Sequence, residues 1–179
     1  MHDTTTRMGL TAGLILFSLV QATARTPRPQ AMQADGIVLV RGRCYGTCPA
    51  YRLRLSASGD VEFHSRNPGD EGLVHSDTLS DDGFAYLVAM AERIGFFDLP
   101  DAIDEGDPVW CAEYATDHPT YVGSIDGAAG RKVVAYYTGC FGGDDDPGVR
   151  ATLGRLKDFF AAIDSVAGSS RWVRPAPYP

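Results

Sequence analysis

The 179-residue chain lacks an apolar run long enough to cross a bilayer. The stretch from Leu10 to Val20 is about a dozen residues, where roughly 20 are needed. It has no cysteine near that stretch either, which argues against a lipid-modified N-terminus. Positive charge is scarce: 16 Lys and Arg stand against 23 Asp and Glu, a net −7. An acidic surface repels phosphate backbones and anionic membranes, so nucleic acid and lipid headgroups are poor partners. Catalytic signatures are missing too. There is no G-x-S-x-G nucleophile elbow and no H-E-x-x-H zinc helix. The acidic stretch "GGDDDPG" lacks the spaced D-x-D-x-D-G pattern of a calcium loop, and reads instead as a helix cap.

What is present begins with a leader. Arg7, the apolar run to Val20 and Ala22-Thr23-Ala24 supply the three parts of a secretory signal peptide over residues 1–24. A flexible lead-in, 25–36, follows. Residues 37–173 then read as one domain, with a Pro-rich tail at 174–179. About 155 residues suffice for one proper core. Export implies a periplasmic or secreted protein. All four cysteines, Cys44, Cys48, Cys111 and Cys140, lie in the exported part. An even count in an oxidising compartment points to disulfides.

The strand pattern is clearest in the first half. "GIVLVR" is a short run rich in β-branched residues. "AYRLRLS" alternates, with Tyr51, Leu53 and Leu55 on one face and Arg52 and Arg54 on the other. "DVEFHS" alternates again, and Ala57-Ser58-Gly59 between them suits a three-residue hairpin loop. The resulting register sets Leu55 against Val61 and Leu53 against Phe63, with Arg54 facing Glu62 and Arg52 facing His64. A slip by one would put Leu55 opposite Glu62. "LVHSDTL" is a weaker fourth strand. "SDDGFAYLVAMAERIGFF" spaces Phe84, Leu87, Val88, Ala91 and Ile94 as a helix, with Ser80 as its N-cap and Gly95 as its end. "PVWCAEY", "TYVGSI" and "KVVAYYT" are further strand candidates. A second helix starts at Asp146-Pro147 and buries Val149, Leu153, Leu156, Phe160 and Ile163. Runs of strands with short loops suggest an α+β fold: an antiparallel sheet of about six to seven strands with two helices on one face.

Each candidate site has a structural reading beside it. A redox centre typically places C-x-x-C at a helix N-terminus, where the dipole lowers the thiol pKa. Cys44 and Cys48 are one residue further apart and join two strands. A structural zinc site usually needs four ligands, which the four cysteines could supply, but export before metal loading works against it. The residues themselves leave all three disulfide pairings open. "TDHPT" puts Asp117 beside His118, half of a hydrolytic dyad. Neighbours on an extended chain point to opposite faces, so a turn capped by Asp117 is the plainer reading. His64 and His75 sit on different strands and could meet as metal ligands, although exposed strand histidines are commoner. Trp172 is expected to dock ahead of a frayed end.

"CYGTCPAYRLRLSASGDVEF" resembles the opening motif of an uncharacterised bacterial domain, the domain-of-unknown-function family six-four-three-eight. The similarity continues through "TDHPTYV", "RKVVAYY" and "AAIDSVAGSSRWV". The matching positions are Cys44, Gly46, Cys48, Pro49, Tyr51, Asp117, Pro119, Tyr121 and Trp172. The resemblance implies an envelope domain and supplies no catalytic residue, metal ligand or cofactor. Cys111 and Cys140 look like additions to the family pattern. A pair gained together would bond together, which implies Cys44–Cys48 and Cys111–Cys140. The expectation is an exported, non-catalytic domain that binds an envelope protein or a small ligand on its sheet. The alternatives are a thiol–disulfide oxidoreductase, a hydrolase using His118, or an envelope metal binder using His64, His75 or the acidic loop.

Overall fold

A computed structural model describes residues 33–70, 72–80, 82–142 and 146–175. The expected signal peptide, most of the lead-in, the Gly143–Asp145 part of the acidic loop and the end of the tail lie outside the described residues. The strands are β1 (Ala34–Arg41), β2 (Tyr51–Ser56), β3 (Asp60–Ser65), β4 (Val74–Thr78), β5 (Ala102–Ile103), β6 (Thr120–Gly127) and β7 (Gly130–Tyr137). Helix α1 (Gly83–Ile94) follows β4, and α2 (Pro147–Ala167) follows β7. Among the described residues the strands form one seven-stranded sheet in the order β4-β3-β2-β1-β6-β7-β5. Every neighbouring pair is antiparallel except β5 and β7. No helix among the described residues is long and apolar enough to cross a membrane.

The β2–β3 hairpin takes the register the alternation dictates: Leu55 faces Val61, Leu53 faces Phe63, Arg54 faces Glu62 and Arg52 faces His64. Gly59 closes the loop at φ 92°, a conformation glycine adopts without strain. On α2, Asp146 caps the first turn by accepting from the Gly148 and Val149 amides, both at 3.0 Å, with Pro147 just inside. Its buried stripe is Val149, Leu153, Leu156, Phe159, Phe160, Ile163 and Ala167. Helix α1 buries Leu87, Val88, Ala91 and Ile94, and ends at Gly95 in the left-handed region. Both stripes join one cluster with Ile37, Leu39, Leu53, Leu55, Phe63, Val134 and Tyr136. Gly123 lets α2 settle on the sheet, because a Cβ there would lie 2.5 Å from the Phe160 ring.

Four expectations change. β1 starts at Ala34 and takes in the last three residues of the expected lead-in. α1 is capped at Asp82 without a side-chain hydrogen bond. Ser80 instead gives its carbonyl to the Gly83 amide at 2.9 Å, one turn early. "PVWCAEY" is not a strand. Asp107 draws the Val109 and Trp110 amides onto its carboxylate at 2.8 and 3.0 Å, and the Cys111 amide onto its carbonyl at 2.9 Å. That turn diverts the chain before it can pair, and only the isolated bridge Tyr114–Cys140 remains. The sheet's edge is instead the two-residue β5.

Candidate functional site

The loop from Arg41 to Tyr51 folds over one end of the sheet. Its base is held by backbone bonds from the Gly42 amide to the Thr120 carbonyl (2.9 Å) and from the Arg66 amide to the Ala50 carbonyl (2.8 Å). Cys44 is bonded to Cys48 across a Cα–Cα distance of 5.6 Å. Gly46 turns the loop at φ 139°, and Tyr45 is left 83% exposed. Cys111 and Cys140 form the second disulfide, with a Cα–Cα distance of 4.8 Å, and are buried. All four sulfurs are therefore engaged, and neither a thiolate metal clamp nor a free thiol remains.

Beneath the loop lies a polar cluster centred on Asp164 of α2. One carboxylate oxygen accepts from the Tyr51 hydroxyl at 2.7 Å and from the Ser169 hydroxyl at 2.9 Å. The other takes the Arg41 Nε at 2.7 Å, and the Arg41 Nη2 as well. Nη2 also donates to the Phe160 carbonyl at 3.4 Å. The guanidinium lies 4.1 Å above the Tyr121 ring. Burial, then the negative charge of Asp164, pushes the Tyr51 phenol far above its usual value. Burial alone would lower the Arg41 pKa, but Asp164, together with Tyr51 and Tyr121, more than offsets it and the net shift is upward. Opposite charges thus meet where β1, β2 and α2 converge.

The C-terminal segment is tied to the same end. Trp172 stacks on His75, with ring centres 5.5 Å apart and planes 5° apart, and also meets Phe63 at 5.6 Å. Arg171 covers its ring at 4.4 Å and pairs with Asp77. Buried Asn67 accepts the Ala50 amide at 2.8 Å and donates to the Arg174 carbonyl at 3.1 Å. The tail therefore starts anchored rather than frayed at 174.

The catalytic and metal alternatives find little geometry. Asp117 adopts φ 66° and accepts from the Thr116 hydroxyl at 3.3 Å, while the His118 ring meets the edge of Phe141 at 6.4 Å. The His118 amide, not its imidazole, bonds to the Tyr137 hydroxyl at 3.2 Å. Pro119 gives its carbonyl to the Thr138 amide and hydroxyl at 3.0 and 2.9 Å. His64 and His75 cannot share an ion. His75 pairs with Phe63 on the helix side, and His64 with Arg52 on the opposite side. Among the described residues no group of three or more His, Cys, Asp or Glu is placed to hold a metal.

The sheet face turned away from both helices is chemically distinct. It carries Val38 and Val40 on β1, Arg52 and Arg54 on β2, Glu62 and His64 on β3, Val122 and Ser124 on β6, and Val133 and Ala135 on β7. These alternate with the core residues of each strand. The register lines them up in two rows: His64-Arg52-Val40-Val122-Ala135 and Glu62-Arg54-Val38-Ser124-Val133. The four valines and Ala135 are partly exposed and stand apart from the core cluster.

Residues 35–160 match the family described as a domain of unknown function (DUF6438). The chain belongs to this family. The match includes the Cys44–Tyr51 motif and Tyr121, and stops short of Asp164, Ser169 and Trp172. No curated protein matches the chain. In DUF6438 terms, the motif tyrosine Tyr51 reaches Asp164, and the later Tyr121 carries the Arg41 cation. Sequence reasoning named both tyrosines but missed Arg41, Asp164 and Ser169. The available signal was an acid, Asp164, bordering the apolar stripe at Phe160 and Ile163, where it needs a cation.

Proposed function

We propose that this is an exported, disulfide-stapled, non-catalytic binding domain of the cell envelope, and that it binds through the sheet face away from the helices. One observation carries the reading. β1 and β7 contain unbroken apolar runs, Ile37-Val38-Leu39-Val40 and Val133-Val134-Ala135-Tyr136-Tyr137, the pattern of strands covered on both faces. Among the described residues helices cover one face only, which leaves a surface whose composition anticipates a partner. Two disulfides suit an oxidising compartment. The shifted groups Arg41 and Tyr51 are engaged in holding elements together, not in facing a cleft.

A photo-crosslinking residue at Val122, compared with one at Glu92 on α1, tests the reading in the native envelope. Crosslinked product from the Val122 site alone is expected. Equal yields from both sites would count against it. Thiol titration of the protein recovered from that envelope checks export, and four reactive thiols would overturn the stapled, exported reading.

A further inference from the structure

We infer that the sheet face docks an acidic polypeptide that also carries apolar side chains, with Arg52 and Arg54 taking its carboxylates and Val38, Val40, Val122 and Val133 its apolar groups. This rests on the binding reading above and specifies its partner. The chain is acidic overall, at net −7, and acids tie down several of its basic residues among the described ones. Arg41 pairs with Asp164, Arg131 with Asp126, Lys132 with Asp101 and Arg171 with Asp77. Arg52 is different. Its side chain has no hydrogen bond, ion pair or ring contact among the described residues. Arg54 is the next residue along the same face, about 6.6 Å on. It lies between Glu62 across the hairpin and the field of Asp126.

His64 faces Arg52, and Arg66 follows two residues later with its side chain likewise unpaired among the described residues. Three arginines, with Glu62 among them, therefore run beside an apolar strip. The two features select one kind of partner. Nucleic acid, anionic lipid and acidic glycan could use the arginines, but each would leave the valines wet. A protein segment with both carboxylates and apolar side chains satisfies both halves, and draws on charge for orientation and on burial for affinity.

Random copolymers make the test possible without knowing the partner's sequence. Binding of a fluorescent glutamate–tyrosine copolymer is measured by anisotropy, beside polyglutamate, a lysine–tyrosine copolymer and heparin. The glutamate–tyrosine copolymer should bind at least tenfold more tightly than the other three and weaken as salt rises. The Arg52→Glu/Arg54→Glu variant should lose at least tenfold, and Val40→Ser/Val122→Ser at least threefold. Arg155→Glu on α2 should change little, and thermal melting confirms that each variant folds. Comparable binding of polyglutamate or heparin would mean that the face reads charge alone, and would overturn the inference. So would absent binding, or binding indifferent to the arginine pair. If the copolymer fails while Val122 still crosslinks in the envelope, the face binds a partner that is not acidic. If Val122 does not crosslink either, the binding reading itself fails.

Discussion

Asp164→Ala should be among the most damaging single changes in the chain. Its carboxylate answers three donors from three elements: Arg41 on β1, Tyr51 on β2 and Ser169 after α2. The pair Arg41–Asp164 is 15% and 18% exposed, so a lost carboxylate leaves a guanidinium that water reaches poorly. Breaking a buried pair by removing one partner costs about 3–5 kcal/mol. Partial exposure brings the charge loss down to about 2–3 kcal/mol, and this is the value expected for Asp164→Asn, which keeps an acceptor for Tyr51 and Ser169. Alanine also removes those two hydrogen bonds, each worth about 1 kcal/mol. The total is about 4 kcal/mol, or a fall in melting temperature of about 10 °C for a domain of this size. Urea unfolding of the oxidised protein reads it directly. The double change Arg41→Met/Asp164→Leu should recover most of the loss, because an apolar pair leaves no charge unanswered. A cost below about 1 kcal/mol for alanine, or a double variant as unstable as the single, would refute the reasoning.

Other consequences follow from the packing and the titrating groups. Gly123→Ala should cost about 1–3 kcal/mol, since its methyl would press on a fully buried Phe160 ring; an unchanged urea midpoint would mean that the ring can move. Burial raises the folded-state pKa of both Tyr51 and Tyr136 above the unfolded value of about 10. Their contribution is therefore complete below about pH 10 and lost as pH rises beyond it, and Tyr136→Phe should flatten that fall in a urea-midpoint series from pH 8 to 11.5. Under limiting reductant, alkylation should reach Cys44 and Cys48 first, because Cys111 and Cys140 are only 3% and 0% exposed. Loop entropy puts the first loss at about 2 kcal/mol and the second at about 3.5. Simultaneous labelling of both pairs would contradict the burial difference.

The hairpin of β2 and β3 was legible to the residue because two constraints agreed. Leu53, Leu55, Val61 and Phe63 had to share a face, and Gly59 fixed the loop. α2 was legible for the same reason, with Asp146-Pro147 marking its start and the stripe its buried side. Where a single local interaction outweighed the pattern, the reading failed. "PVWCAEY" has strand composition, but the Asp107 turn captures its first amides. Ser80 suits an N-cap, yet the preceding turn uses its carbonyl. The two-residue β5 is too short to leave any period. His64 and His75 looked like possible partners only while their faces were unknown. The β3–β4 register, which periodicity does not set for so weak a strand, puts them on opposite sides.

Pairing across long sequence distances hid the Asp164 cluster, since Arg41 lies 123 residues away. Its position clarifies what the family motif does. Tyr51, the last residue of that motif, pairs with Arg41 on the sheet, and both side chains reach Asp164 on the helix side. The next pair along is Val40 and Arg52, which point the other way. The residues that tie two central strands down are thus immediate chain neighbours of the residues offered on the open face. The Cys44–Cys48 bond closes the loop joining those strands, so their ends are fixed covalently above and electrostatically below. On the reading proposed above, a motif built this way holds the binding surface in place. Function should therefore be sought where the motif is silent, in the arginines and valines that it positions.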